Sequence, residues 1–255
     1  MNYTKLNQIA FIIFITLLIM NASDITENES SKKYMGGGVK VAVLDSGIYD
    51  DHKDFRDKKI RKYNFINDSD FKDLLGHGTE VSGIITNIAP NVELYNLRIL
   101  DDSGEGSIET LKKALDWCIK MNIDIINISF STKLDNEDLR SYINKALKKG
   151  TLIVASYNNR DVKSFPAQYK DVIGVKASNS KVILVKGDII YALGTNLKTT
   201  SNKGSYKCVT GNSYATAYIT GVICKVMSEM KYEKLTINYD EIIKKLKNKG
   251  GFDYV

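Results

Sequence analysis

From residue 39 onward the chain alternates between two hydrophobic rhythms. Short apolar runs at 39–44, 94–100, 123–128, 152–155 and 172–175 have the length of strands, and continuous runs of that kind predict strands buried on both faces. Between them, apolar residues recur at helical spacing. Over 108–121 these are Ile108, Leu111, Leu115 and Ile119, which predicts a helix with one buried stripe. Residues 137–149 are amphipathic and end at Gly150, as helices often do. Helices are also predicted over 76–88, 214–230 and 240–247, the last stopped by Gly250-Gly251. Pro90 and Pro166 interrupt none of these elements, and no internal repeat is present. Strands alternating with helices predict an α/β fold: a doubly wound, mainly parallel sheet flanked by helices on both faces, in three layers. Functional side chains in such sheets collect at the carboxyl ends of the strands.

The N-terminal segment breaks from this rhythm. Lys5 precedes an apolar run over 9–20, the length of an export-signal core and short for a membrane span. Residues 1–22 are expected to be a signal peptide or anchor, attached to a membrane if uncleaved. Residues 23–38 are polar, end in Gly36-Gly37-Gly38, and read as a linker without a packing face. One domain over 39–255 follows, on the outer side of the membrane or secreted. A chain of 255 residues with 43% hydrophobic and 26% charged residues suits one large soluble domain with its own core. The net charge of +6 is spread along the chain, and no basic cluster with interleaved aromatics points to nucleic acid. Cys118, Cys208 and Cys224 match no metal spacing. They read as buried, reduced thiols, although Cys208, close to Ser213, could line a site.

Three polar residues stand at element ends. Asp45 closes the first strand in Leu44-Asp45-Ser46-Gly47, which by itself reads equally as turn chemistry. A strand-end carboxylate would also suit a nucleotide site, but no phosphate-binding loop follows this strand. His77 lies in Gly76-His77-Gly78-Thr79, where flanking glycines let the backbone pass close to a neighbouring strand. The other histidine, His52, sits in a charged loop with solvent as its natural partner. Ser213, in Gly211-Asn212-Ser213-Tyr214-Ala215, precedes a helix. It serves either as a simple cap or as a nucleophile whose oxyanion the helix N-terminus would stabilise.

The order Asp, His, Ser, with the first two 32 positions apart, matches the subtilisin arrangement. From about residue 39 to 231 the chain resembles the subtilase family of serine proteases. Val-Ala-Val-Leu-Asp-Ser-Gly-Ile resembles the aspartate motif, Gly-His-Gly-Thr-Glu-Val-Ser-Gly the histidine motif, and Gly-Asn-Ser-Tyr-Ala the serine motif. Asp-Ile-Ile-Asn-Ile-Ser, at 124–129, resembles the substrate-binding strand.

The resemblance implies an Asp45–His77–Ser213 triad acting through an acyl-enzyme, with Asn158 as oxyanion donor and Asn159 as the fallback. It also implies that Asp102, Ser103, Gly104, Ser129, Phe130 and Ser131 flank an extended peptide or protein substrate. No metal and no cofactor are expected, since no run of alternating Asp and Asn resembles a calcium loop. The stretch ahead of the aspartate motif is shorter than the propeptide secreted members commonly carry, so folding unaided or with a partner is expected. A monomer is expected, and the processing of secreted peptide precursors is one role the design resembles. Ser164 is a candidate floor for the pocket that takes the residue before the cut. The chain departs from the family pattern at Asn212 (usually Thr), Ala217 (usually Pro) and Ser131 (usually Gly). A catalytically inactive member used as a binding module is therefore the alternative.

Overall fold

The computed structural model describes residues 34–66, 71–160 and 162–248. The expected signal peptide or anchor, most of the expected linker and the Gly250-Gly251 stop lie outside the described residues. In chain order the elements are β1 (Lys40–Asp45), β2 (Lys59–Asn64), α1 (His77–Ile88), β3 (Glu93–Arg98), α2 (Ile108–Lys120), β4 (Ile125–Ile128), α3 (Glu137–Lys148) and β5 (Leu152–Ser156). Then come β6 (Ile173–Ser178), β7 (Leu184–Lys186), β8 (Ile189–Leu193), β9 (Leu197–Thr200), β10 (Tyr206–Val209), α4 (Asn212–Tyr232) and α5 (Tyr239–Asn248).

Eight strands form one sheet in the order β2-β3-β1-β4-β5-β6-β8-β7. Every pairing in it is parallel except that of β7 with β8, while β9 and β10 make a separate antiparallel hairpin. The three layers follow from strand geometry, because successive side chains point to opposite faces. Val41, Val43 and Val154 join a core with α1, α4 and α5. Their neighbours Ala42, Leu44, Ile153 and Ala155 join a second core with α2 and α3. Both faces are covered, which is why the strands read as unbroken apolar runs. The fold is the doubly wound α/β arrangement the sequence predicts.

Three sequence expectations need correction. The glycine run expected to be unpacked linker is a turn pressed onto the domain. A Cβ on Gly36 would lie 2.6 Å from Val92 Cγ1, Ser228 Oγ donates to Gly37 O, and Lys231 Nζ donates to Gly38 O. His52 is buried, not solvated. Its Nε2–H donates to Ser205 O at 3.1 Å and its Nδ1 accepts the Asp54 N–H, while its ring meets Phe55 and Tyr206 edge-on. It ties the loop after β1 to the β9–β10 hairpin. Cys118 and Cys224 are buried, but Cys208 is exposed. Among the described residues no helix is long and apolar enough to cross a membrane.

Candidate active site

β1 delivers Asp45 at its carboxyl end, fully buried. Its Oδ1 accepts the Ser46 N–H at 2.8 Å. His77 Nδ1 lies 2.8 and 3.0 Å from the two carboxylate oxygens. That contact fixes the neutral imidazole with its proton on Nδ1, leaving Nε2 as the basic nitrogen.

Two glycines seat His77 at the start of α1. Gly76 caps the helix at φ +84, a left-handed conformation that suits glycine. A Cβ on Gly78 would sit 2.2 Å from Gly47 O, so α1 could not approach the end of β1 with any larger residue there. Asp73 sits behind both. This buried carboxylate accepts from Ser46 Oγ, Gly76 N–H, Thr79 N–H and Thr79 Oγ1 at 2.6–2.8 Å. It therefore binds the aspartate turn and the first turn of α1 into one unit. Sequence reading passed over Asp73. The available signal was an acid just ahead of a helix N-terminus, where it caps free N–H groups.

Burial works against a charged His77. The charge of Asp45 and its hydrogen bond, followed by the charges of Glu80 and Asp73, outweigh it and raise the imidazole from 6.5 to about 9.

Ser213 is the second residue of α4, which begins two residues earlier than the sequence predicts. Its N–H, in the first turn, has no intrahelical acceptor. Its hydroxyl donates to Ser129 O at 2.7 Å, and Ser129 Oγ donates back to Ser213 O at 3.3 Å. Asn127, supported by Thr220, holds Ser129 from below. No hydrogen bond joins Ser213 to His77, so the two ends of the expected relay are linked only on the Asp45 side.

The two asparagines play different parts. Asn158 Oδ1 accepts the Arg160 N–H, which leaves its amide donors for a ligand. Asn159 Oδ1 accepts the Asn212 N–H at 3.1 Å, a tie to the turn that carries Ser213. Asn212 knits this corner together: its Oδ1 accepts from Ala177 N–H, and its Nδ2 donates to Tyr157 O and Asn158 O. Ser164 is not a pocket floor. It is fully buried, donates to Val162 O and accepts the Asn158 N–H.

Asp102, Ser103 and Gly104 lie on an exposed turn pinned by Asp101, whose Oδ1 accepts from Ser103 and Glu105. Asp102 pairs with Arg98 at 3.0 Å. Between this turn and the partly buried Phe130 and Ser131 is a recess of about 190 Å³ lined by Ile99, Leu100, Gly104, Leu139 and Phe165. Cys208 follows Lys207 on β10, and strand alternation turns it to the opposite face from the site. Among the described residues no group of three or more His, Cys, Asp or Glu side chains gathers to hold a metal ion.

Comparison with known proteins agrees with the motif reading. The model of the subtilase family matches residues 36–248. The minor extracellular protease Epr of Bacillus subtilis (strain 168) is 36% identical over 204 residues, covering 72% of this chain and 31% of that protein. Subtilisin NAT of Bacillus subtilis subsp. natto is 28% identical over 220 residues, covering 78% of this chain and 58% of that one. The chain thus spans less than two thirds of either relative. The crystal structure of a cold adapted subtilisin-like serine proteinase superposes with a TM-score of 0.72 at 24% identity, covering 86% of this chain and 85% of that one. At that identity the likeness shows the fold.

Proposed function

The chain belongs to the subtilase family, and on that premise we propose that it is a serine endopeptidase whose triad is Asp45, His77 and Ser213. The observation that carries the proposal is the buried contact between His77 Nδ1 and both oxygens of Asp45. It presents Nε2 as a base of fixed tautomer beside the helix that bears Ser213.

In this reading Ser213 turns its hydroxyl from Ser129 O toward His77 Nε2. His77 takes the proton as Ser213 attacks the substrate carbonyl. It then returns the proton to the leaving amine, and water hydrolyses the acyl-enzyme. Asp45 stabilises the imidazolium formed on the way. The oxyanion is held by the Ser213 N–H and the Asn158 amide, donors aimed where negative charge develops. The segment 129–131 and the turn 102–104 pair with an extended peptide, and the recess between them takes an apolar side chain of that peptide. The apolar run over 9–20 supports export, as does the extracellular relative. The substrate class in this reading is a secreted peptide precursor.

The hydrogen bond from Ser213 to Ser129, made instead of one to His77, favours a second reading: an inactive subtilase that binds peptides without cutting them. A fluorophosphonate probe separates the two. The protease labels at Ser213, and both Ser213→Ala and His77→Ala lose the label; a folded wild-type chain that stays unlabelled but binds peptide supports the binding module.

A further inference from the structure

Glu80 is a charged residue near His77 that the mechanism leaves unused. It lies in the first turn of α1, three residues past His77, and is 5% exposed. Its two oxygens are committed to two other elements. Oε2 accepts the Tyr214 hydroxyl at 2.6 Å, and Oε1 accepts from Lys207 Nζ at 2.8 Å. Tyr214 is the residue after Ser213, and its ring centroid lies 5.6 Å from that of His77. The β9–β10 hairpin grips the same turn through its backbone: Thr199 Oγ1 donates to Glu80 O and Thr200 Oγ1 donates to Thr79 O. One buried carboxylate thus joins the helix bearing the base, the helix bearing the nucleophile, and the hairpin.

We propose that Glu80 is a positioning residue for the reaction: through Tyr214 it fixes the spacing of His77 and Ser213, and through its charge, set against Lys207, it sets the pH range in which His77 serves as a base. The assignment rests on the serine-protease reading. The charged and titratable groups around His77 are Asp45 from β1, Asp73 from the loop ahead of α1, Glu80 on its own helix and Tyr214 from α4. Lys207, from β10, faces Glu80. The Tyr214 phenol is pushed up by burial first, then by its hydrogen bond to Glu80 and by the Glu80 charge, so it stays a donor to the carboxylate throughout the working range. The Glu80 charge favours the protonated imidazole, and the ammonium of Lys207 partly cancels it. Removing one charge or the other must move His77 in opposite directions, which a role confined to packing would not do.

The test is the acid limb of kcat/KM on a peptide substrate, measured with the full chain as wild type, Glu80→Gln, Lys207→Gln and Tyr214→Phe. Glu80→Gln is expected to move the limb down by ~0.5–1 pH unit and Lys207→Gln to move it up by a smaller amount. Tyr214→Phe keeps the ring but not the link, and is expected to lower kcat about tenfold with the limb little changed. Lys207 is half exposed, so its variant keeps the test alive if Glu80→Gln does not fold. A limb shared by wild type and the two charge variants, or moved the same way in both, overturns the assignment. Fluorophosphonate labelling of each protein tells the failures apart. A labelled wild type with an unmoved limb sinks the role of Glu80 alone, whereas an unlabelled wild type sinks the protease reading and this assignment with it.

Discussion

At the scale of single residues, the environment of His77 sets opposed demands. Its imidazole is raised from 6.5 to about 9 because the surrounding carboxylates outweigh burial. A base must be neutral to accept a proton, so kcat/KM is expected to rise about tenfold per pH unit below 9 and to level off above it. A pH–rate profile on a peptide substrate checks this, and a plateau already reached at pH 7 would contradict it. Stability runs the other way. The folded pKa lies above the unfolded one, so this group's contribution is complete below pH 6.5 and lost as pH rises through 9. Melting temperature is therefore expected to fall over the window in which activity climbs. Asn158 offers a second test at this scale. Removing the oxyanion donor of a subtilisin costs roughly 10²–10³ in turnover, and Asn158→Ala is expected to lose the same order in kcat with KM little altered. Asn159→Ala, which cuts only the tie to the Asn212 N–H, is expected to lose far less.

At the scale of elements, the site depends on how closely α1 docks on the end of β1. A methyl at position 78 would meet the carbonyl oxygen of Gly47 at 2.2 Å, whereas one at position 38 meets nothing within 4 Å. Gly78→Ala is expected to cost about 1–3 kcal/mol through overpacking and to displace His77, with labelling lost even in the folded protein. Gly38→Ala, strained only by its φ of +74, is expected to cost about 1–2 kcal/mol with labelling intact. Urea melts paired with probe labelling distinguish the two. The same scale explains what the sequence made legible. β1, β3, β4, β5 and β6 are buried on both faces or nearly so and announce themselves as apolar runs. β2 reads Lys-Ile-Arg-Lys-Tyr-Asn and pairs on one side only, with β3. As an edge strand with charges outward, it follows the polar pattern of a loop. β9 and β10 escape for a related reason: they form a separate two-stranded hairpin whose threonine hydroxyls bond to α1, a long-range partnership that periodicity does not encode. His52 misled because its neighbours in sequence are charged, while its neighbours in space are Phe55 and Tyr206. Asn212, noted in the sequence as a departure beside the nucleophile, turns out to be a three-point connector. Nothing local to residue 212 specifies those partners.

At the scale of the whole molecule, the sheet has two ends with different duties. Asp45 lies at the carboxyl end of β1, and the start of α1 with His77 and the loops that hold Ser129 and Asn158 gather there. The amino end of β1 is where the glycine turn is pinned by Ser228 and Lys231. Six strand residues separate the two ends, roughly 20 Å at the usual rise. A support grafted onto the glycine turn itself would therefore hold the domain by its heel. The Asp45 end, the cutting edge of the proposed endopeptidase, would face outward, open to substrates too bulky to slip between protein and support.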